Sequence, residues 1–282
     1  MSYDFDFICD CHTHSKWSFD GCEEIDDMCE QAIKLGINVL TITDHCEVNG
    51  WENPDDSEFG DFSTLIPKSI ENMKKSQIKY DDRIKLLRGI ELGQAVQDLK
   101  SADIALSLDD FDFVLASVHN VRNERDFYWL EYTAESAKKL LYTYFNEMLE
   151  VVKWNKFDSL AHLTYPLRYI TGVHKIAIDI NEYLPIIDEI FNTLIKNGKA
   201  LEVNSSGLRQ EIGLTMPDEF LLKRYYNLGG ILVTVGSDAH KTADLGKGIN
   251  ETLHLLKSIG FNNYYYFEKH NAIPVSIKKY II

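Results

Sequence analysis

The chain has 282 residues, a formal net charge of −15 from 44 acidic and 29 basic side chains, and a composition that is 45% hydrophobic and 26% charged. That length is ample for one large buried core and the composition is that of an ordinary globular protein. The acidic balance opposes polyanions, so nucleic acid is excluded as a first candidate partner, whereas a small substrate with a positive group meets no such opposition.

Read in chain order, residues 5–11 form the first short apolar run of strand length, and residues 23–35 follow as an amphipathic helix stopped by Gly36. Strand-like runs then recur at 38–43, 84–90 and 113–118, rich in β-branched and aliphatic residues. Residues 133–153 carry Leu140, Leu141, Tyr144, Phe145, Met148 and Val152 at helical spacing. A fifth strand is expected at 159–163. A helix follows at 182–196, ending at Asn197 and Gly198, and the sixth strand lies at 200–203. Pro217 opens a helix over 217–227 that stops before Gly229 and Gly230. The seventh strand spans 231–235, and a weaker helix at 253–259 ends at Gly260. No linker, repeat or low-complexity tract interrupts this, so residues 1–282 are read as one domain.

Strands alternating with helices imply parallel strands joined by right-handed crossovers, either in a doubly wound sheet or in a barrel. The polar residues decide between them. Each of the seven runs carries ionisable or amide groups at or just beyond its end: His12 and His14, Asp44 and His45, Glu91, His119, His162, Glu202 and Asn204, then Asp238 and His240. A barrel brings all those strand ends to one face, whereas a doubly wound sheet concentrates function at one switch point. The expected fold is therefore α/β, a distorted (β/α)7 TIM-like barrel with its site at the C-terminal ends of the strands.

Six of the nine histidines, with Asp44, Asp238 and Glu91, occupy these positions. So many buried imidazoles and carboxylates are costly unless paired or metal-bound. In extended chain, His12 and His14 project to the same side, and Asp238 and His240 repeat that geometry. Mixed nitrogen and oxygen donors suit Zn²⁺, Mn²⁺ or Fe²⁺. Nine candidates exceed one tetrahedral ion and point to two or three divalent metals, with Glu91 able to bridge two. No phosphate-binding G-x-x-x-x-G-K-[ST], G-x-S-x-G, H-E-x-x-H or post-strand G-x-G-x-x-G occurs.

All five cysteines, Cys9, Cys11, Cys22, Cys29 and Cys46, lie in the first 46 residues with no C-x-x-C pair. This is no disulfide framework and suggests a reducing compartment. There is no basic n-region before an apolar stretch at the start, and no run nears the roughly 18 apolar residues of a membrane span. A cytoplasmic protein without membrane contact is expected. Nothing in the residues specifies an oligomeric state.

The ordered blocks Asp10-Cys11-His12-Thr13-His14-Ser15, Thr43-Asp44-His45, Gly89-Ile90-Glu91, Ser117-Val118-His119, Ala161-His162-Leu163 and Gly236-Ser237-Asp238-Ala239-His240 resemble the PHP (polymerase and histidinol phosphatase) superfamily. The resemblance implies a distorted (β/α)7 barrel and a trinuclear metal site. It assigns His12, His14, Glu91 and Asp238 to a first ion, Glu91, His119 and His162 to a second, and His45, His240 and Asp20 to a third. Asp20 stands where many relatives have His. Asp126-Phe127-Tyr128, the segment 163–169 and the segment 202–209 resemble the monofunctional histidinol-phosphate phosphatase branch.

That branch implies hydrolysis of a small phosphomonoester, L-histidinol phosphate, in histidine biosynthesis, with a metal-bridging hydroxide as nucleophile and no phosphoenzyme. Arg168 is the expected bidentate phosphate clamp, since a guanidinium matches two phosphate oxygens. Glu202 and Tyr128 are expected at the substrate ammonium and imidazole, Arg209 is a weaker substrate candidate, and Asp20 and His240 are candidate general acids. Two rival readings remain: a nuclease-type member acting on nucleotides or oligonucleotides, which calls for a basic groove, and a non-catalytic domain holding metal only for structure.

Overall fold

In the computed structural model, residues 3–49 and 62–277 are described. The apolar runs pair in parallel because helices or long connections carry the chain back between them. The strands are β1 (Cys9–Asp10), β2 (Val39–Ile42), β3 (His45–Glu47), β4 (Lys85–Gly93), β5 (Phe113–Ser117), β6 (Ser159–Leu160), β7 (Ala200–Asn204) and β8 (Val233–Gly236). Their order is β1-β2-β4-β5-β6-β7-β8. Strand β3 continues the line of β2 along β4, which sets His45 opposite Glu91.

The two ends of this sheet meet. Cys11 N–H donates to Val235 O at 3.0 Å, Asp238 N–H to His12 O at 2.8 Å and His14 N–H to Ala239 O at 2.9 Å. The seam is thus made by the two segments that carry His12, His14, Asp238 and His240, and the sheet closes into the distorted barrel expected from the sequence. Gly236 lies on this seam, where a Cβ would come within 2.3 Å of the His12 Cβ.

Helices α1 (Ile25–Leu35), α2 (Phe62–Tyr80), α3 (Leu99–Leu106), α4 (Ala134–Trp154), α5 (Leu184–Asn197), α6 (Glu219–Asn227) and α7 (Ile249–Ile259) accompany the strands. Gly36 and Gly198 terminate α1 and α5 with φ of 79° and 63°, the left-handed cap that the sequence marks. Thr133 and Ser136 form a capping box at the start of α4. Helix α6 begins two residues after Pro217, capped by Asp218, and α7 starts four residues before its predicted start. No helix among the described residues is long and apolar enough to cross a membrane.

Helices α2 and α3 and a C-terminal hairpin, β9 (Asn263–Glu268) with β10 (Asn271–Ser276), are additions to the sequence-based expectation. The hairpin covers the end of the barrel opposite the strand C-termini. Tyr264 O–H donates to Phe7 O at 2.8 Å and accepts from Cys9 N–H at 3.1 Å, beside β1. Phe267 stacks on Phe113 at 5.5 Å, and Lys269 and His270 N–H groups reach Asp112 before β5. The N-terminal mouth is therefore plugged, and access is left to the face where the polar strand ends gather.

Candidate metal centre

Strand pleating delivers the side chains. His12 and His14 flank Thr13 on extended chain, so both imidazoles enter the cavity, with ring centroids 4.9 Å apart. Glu91, fully buried near the end of β4, is the hub. Its Oε2 lies 3.3 Å from His12 Nε2, 3.5 Å from His14 Nε2 and 2.8 Å from His45 Nδ1. Its Oε1 lies 3.2 Å from His119 Nε2 and 3.0 Å from His162 Nε2. Asp238 Oδ1 is 3.4 Å from His14 Nε2 and 3.8 Å from His12 Nε2. At the rim, Asp20 is 3.1 Å from His240 Nε2 and 3.6 Å from His45 Nε2. The structure thus brings together all nine residues that the family resemblance names.

Four overlapping groups place one donor atom per residue within 4.8 Å of one another: His14, His45 and His240; His12, His14 and Asp238; His12, Glu91 and His162; and His45, Glu47 and His119. His12 Nε2, His14 Nε2 and Glu91 Oε2 are buried without a hydrogen-bond partner among the described residues. Buried polar atoms are nearly always satisfied, so converging orphan nitrogens and a carboxylate oxygen, each able to offer a lone pair, mark a place for a cation. Imidazole and carboxylate donors without thiolate fit divalent metal.

Burial disfavours charge throughout the cluster, and neighbours decide the outcome. At His12 burial is overcome by Glu202, Glu91 and Asp238, and the imidazole pKa lies well above its ordinary value. At His14 burial acts with the imidazoles of His45, His240 and His12, and the pKa falls well below. Burial would raise Glu91 and Asp238, yet the surrounding imidazoles hold both far below the usual carboxylate range. Protons held in such places are the ones a divalent cation displaces.

Several supporting residues orient the cluster. Asp238 adopts φ 53°, unusual for a non-glycine residue, and is fixed by Arg209, which donates to Ser237 O at 2.7 Å and Asp238 O at 2.8 Å. Arg209 is thereby committed to the backbone rather than to the cavity. Asp44, counted with the strand-end candidates from sequence, is also turned away. It accepts from Ser15 N–H and Oγ, Ser18 Oγ and Ser69 Oγ at 2.5–2.8 Å.

Glu202 is placed differently from the expected ammonium contact. It is buried, with Oε1 2.6 Å from His12 Nδ1 and Oε2 accepting from His162 N–H at 2.8 Å. A carboxylate on the outer nitrogen of a ligating histidine fixes its tautomer and ring orientation. Glu202→Gln is expected to weaken metal retention by about 10–100-fold with KM little changed. Titration with a chelator reads the first and initial rates the second; a raised KM with unaltered retention would return Glu202 to the substrate. Tyr128, 61% exposed, packs edge-on against Trp129 and Tyr169 outside the cavity lining.

The lining consists of Phe19, Asp20, His45, Glu91, His119, Asp126, His162, Tyr165, Arg168 and Asp238. Arg168 opens a short π-helical turn, Arg168–Val173, and its guanidinium lies over the rings of Tyr165 and Tyr169 at 5.7 and 5.5 Å. It enters no ion pair with the described residues. Glu47, not singled out from sequence, is 2.9 Å from His119 Nδ1 and 3.3 Å from His45 Nδ1. Burial would raise its pKa, but His119 and His45 lower it to about 2. Its signal was its position two residues past His45 on extended chain, hence on the same face.

A parallel barrel with clustered histidines and carboxylates at its strand C-termini defines the class: a barrel-borne divalent-metal centre of the kind used in hydrolysis. The PHP domain model matches residues 10–206, and the chain belongs to that family. It is 34% identical over 252 residues to "Probable histidinol-phosphatase" of Thermotoga maritima, covering 89% of this chain and 92% of that protein. It is 29% identical over 267 residues to the protein of the same name from Clostridium acetobutylicum, covering 93% and 97%. The crystal structure of histidinol phosphate phosphatase from Lactococcus lactis, complexed with zinc, L-histidinol and phosphate, superposes with a TM-score of 0.79. The two are 25% identical, with 94% of this chain and 98% of that one covered.

Proposed function

We infer that this chain hydrolyses L-histidinol phosphate to L-histidinol and inorganic phosphate, a phosphoric monoester hydrolase of histidine biosynthesis. The observation that carries the reading is one cavity in which Glu91 joins five imidazoles while Arg168 presents a guanidinium with no carboxylate of the described residues paired to it. The names of the Thermotoga and Clostridium relatives support the same substrate.

We assign His12, His14, Glu91 and Asp238 to one cation, Glu91, His119 and His162 to a second, and His45, His240 and Asp20 to a third, with zinc, manganese or iron in two or three of these places. Divalent cations there supply Lewis acidity, lowering the pKa of water toward neutrality and neutralising phosphate charge. The protein does the rest. Arg168, backed by Tyr165 and Tyr169, takes the phosphate oxygens as a bidentate donor. Glu202 and Glu47 hold His12 and His119 in register. Where the third place holds no cation, the Asp20–His240 pair at the rim is where we place the proton for the departing alkoxide; the ester P–O bond breaks as water oxygen joins phosphorus, and the proton lost by that water passes to solvent. The aromatic contact expected from Tyr128 passes to Tyr165 and Phe19, which face the cavity. A cytoplasmic enzyme of one domain spanning 1–282 fits this reading.

Phosphate release from L-histidinol phosphate by purified protein should stop after chelation and return with zinc or manganese. Activity that survives complete metal removal contradicts the metal-dependent reading.

A further inference from the structure

Four carboxylates line the cavity: Asp20, Glu91, Asp126 and Asp238. Three lie among the imidazoles described above. Asp126 does not, and no group of candidate metal donors among the described residues includes it. It is 8% exposed, and its Oδ1 caps the short turn Phe127–Trp129 by accepting from Tyr128 N–H at 2.7 Å. The Tyr165 hydroxyl also approaches Oδ1, at 3.5 Å. Its Oδ2 has no hydrogen bond to the described residues. Oδ2 is thus the free oxygen of a nearly buried carboxylate on the cavity wall, open to a cationic partner.

Resting on the phosphatase reading above, we propose that Asp126 is the specificity residue for a substrate ammonium group, the role that sequence alone gave to Glu202. Tyr165 links it to the phosphate end of the site. The hydroxyl of Tyr165 is 3.5 Å from Asp126, while its ring lies 5.7 Å from the Arg168 guanidinium carbon. One wall of the cavity therefore offers an anion for an amine and a cation for a phosphate. A phosphomonoester carrying an ammonium a few atoms from the ester oxygen satisfies both, and a phosphomonoester without one leaves Asp126 buried and unpaired.

The test compares L-histidinol phosphate with its des-amino analogue, 3-(imidazol-4-yl)propyl phosphate, in wild type and in Asp126→Asn, which keeps the turn cap and removes the charge. The variant is expected to lose about 30-fold in kcat/KM on the amine substrate and less than about threefold on the analogue, as for one charge-assisted contact. Equal losses on both substrates, or no loss on either, overturn the proposal. If wild type turns over neither ester, the phosphatase reading fails on its own, and calorimetric binding of L-histidinol and imidazolepropanol to the metal-loaded protein decides the role of Asp126. Weaker binding of L-histidinol alone in the variant supports it. Unchanged binding, or binding of neither, overturns it.

Discussion

Glu91→Ala is expected to empty the metal centre and lower kcat/KM on L-histidinol phosphate by about 10⁴-fold, roughly 5 kcal/mol of transition-state stabilisation. The reason is topological. Glu91 stands near the end of β4, directly across the register from His45, and both its oxygens face imidazoles. Two of the three proposed ion places share its carboxylate, and the third contacts it through His45. The residue is fully buried, so alanine leaves the imidazoles it joined facing an empty space in place of a carboxylate. Glu91→Gln separates charge from volume: it fills the same space, keeps hydrogen-bonding capacity and still loses the anion. Both variants should show reduced metal by elemental analysis, and the glutamine form should be the better folded of the two. Full metal occupancy and normal turnover in both would sink the assignment.

Arg168→Ala is expected to cost about 10²-fold in kcat/KM, roughly 2–3 kcal/mol, the scale of a lost charge-assisted contact. Metal content should remain at the wild-type level, since no ligand donor touches the guanidinium. Burial works against its charge, but Tyr169, Tyr165 and the carboxylates of Asp238 and Asp126 outweigh that, so it stays protonated. Arg168→Lys should recover only part of the loss, because an ammonium keeps the charge without the planar fork. Steady-state kinetics with parallel metal analysis makes the distinction. An unchanged kcat/KM in the alanine variant would mean that the arginine serves only to pack Tyr165 and Tyr169.

The barrel was legible because its strands are short, apolar and each followed by chemistry-bearing residues, a pattern set by convergence of strand ends. Closure itself could be anticipated only in outline; the backbone bonds of Thr13 and Ala239 that seal it belong to no local pattern. Helix α2 escaped notice because its buried face mixes Ile66, Ile70 and Met73 with Ser69 and Ser76, and because Pro67, a residue that usually ends a helix, lies inside it. Those serines are not random: they reach Asp44 and Asp26. The hairpin turn uses Lys269 and His270 at φ 49° and 62°, where Asn-Gly would have announced a two-residue turn. Tertiary bonds from Asp112 support these uncommon residues instead.

In the site, the cluster residues were visible through motif order and period-two spacing, whereas roles that depend on direction were not. In sequence, Glu202 near the end of β7 and Asp126 in the connection after β5 are both acidic residues close to the strand-end chemistry. Only the fold shows that one points under His12 and the other into the cavity. The same holds for the arginines: Arg209 grips the backbone at Asp238, and Arg168 faces the opening.

The most direct test of the central claim is a set of kcat/KM values for one metal-quantified preparation on L-histidinol phosphate, p-nitrophenyl phosphate, a nucleoside monophosphate and a dinucleotide. L-Histidinol phosphate should lead every other substrate by at least about tenfold, or roughly 1.4 kcal/mol, because groups remote from phosphorus help to position it. A dinucleotide or nucleotide in first place would contradict the account and give the cavity to nucleotide phosphoester hydrolysis.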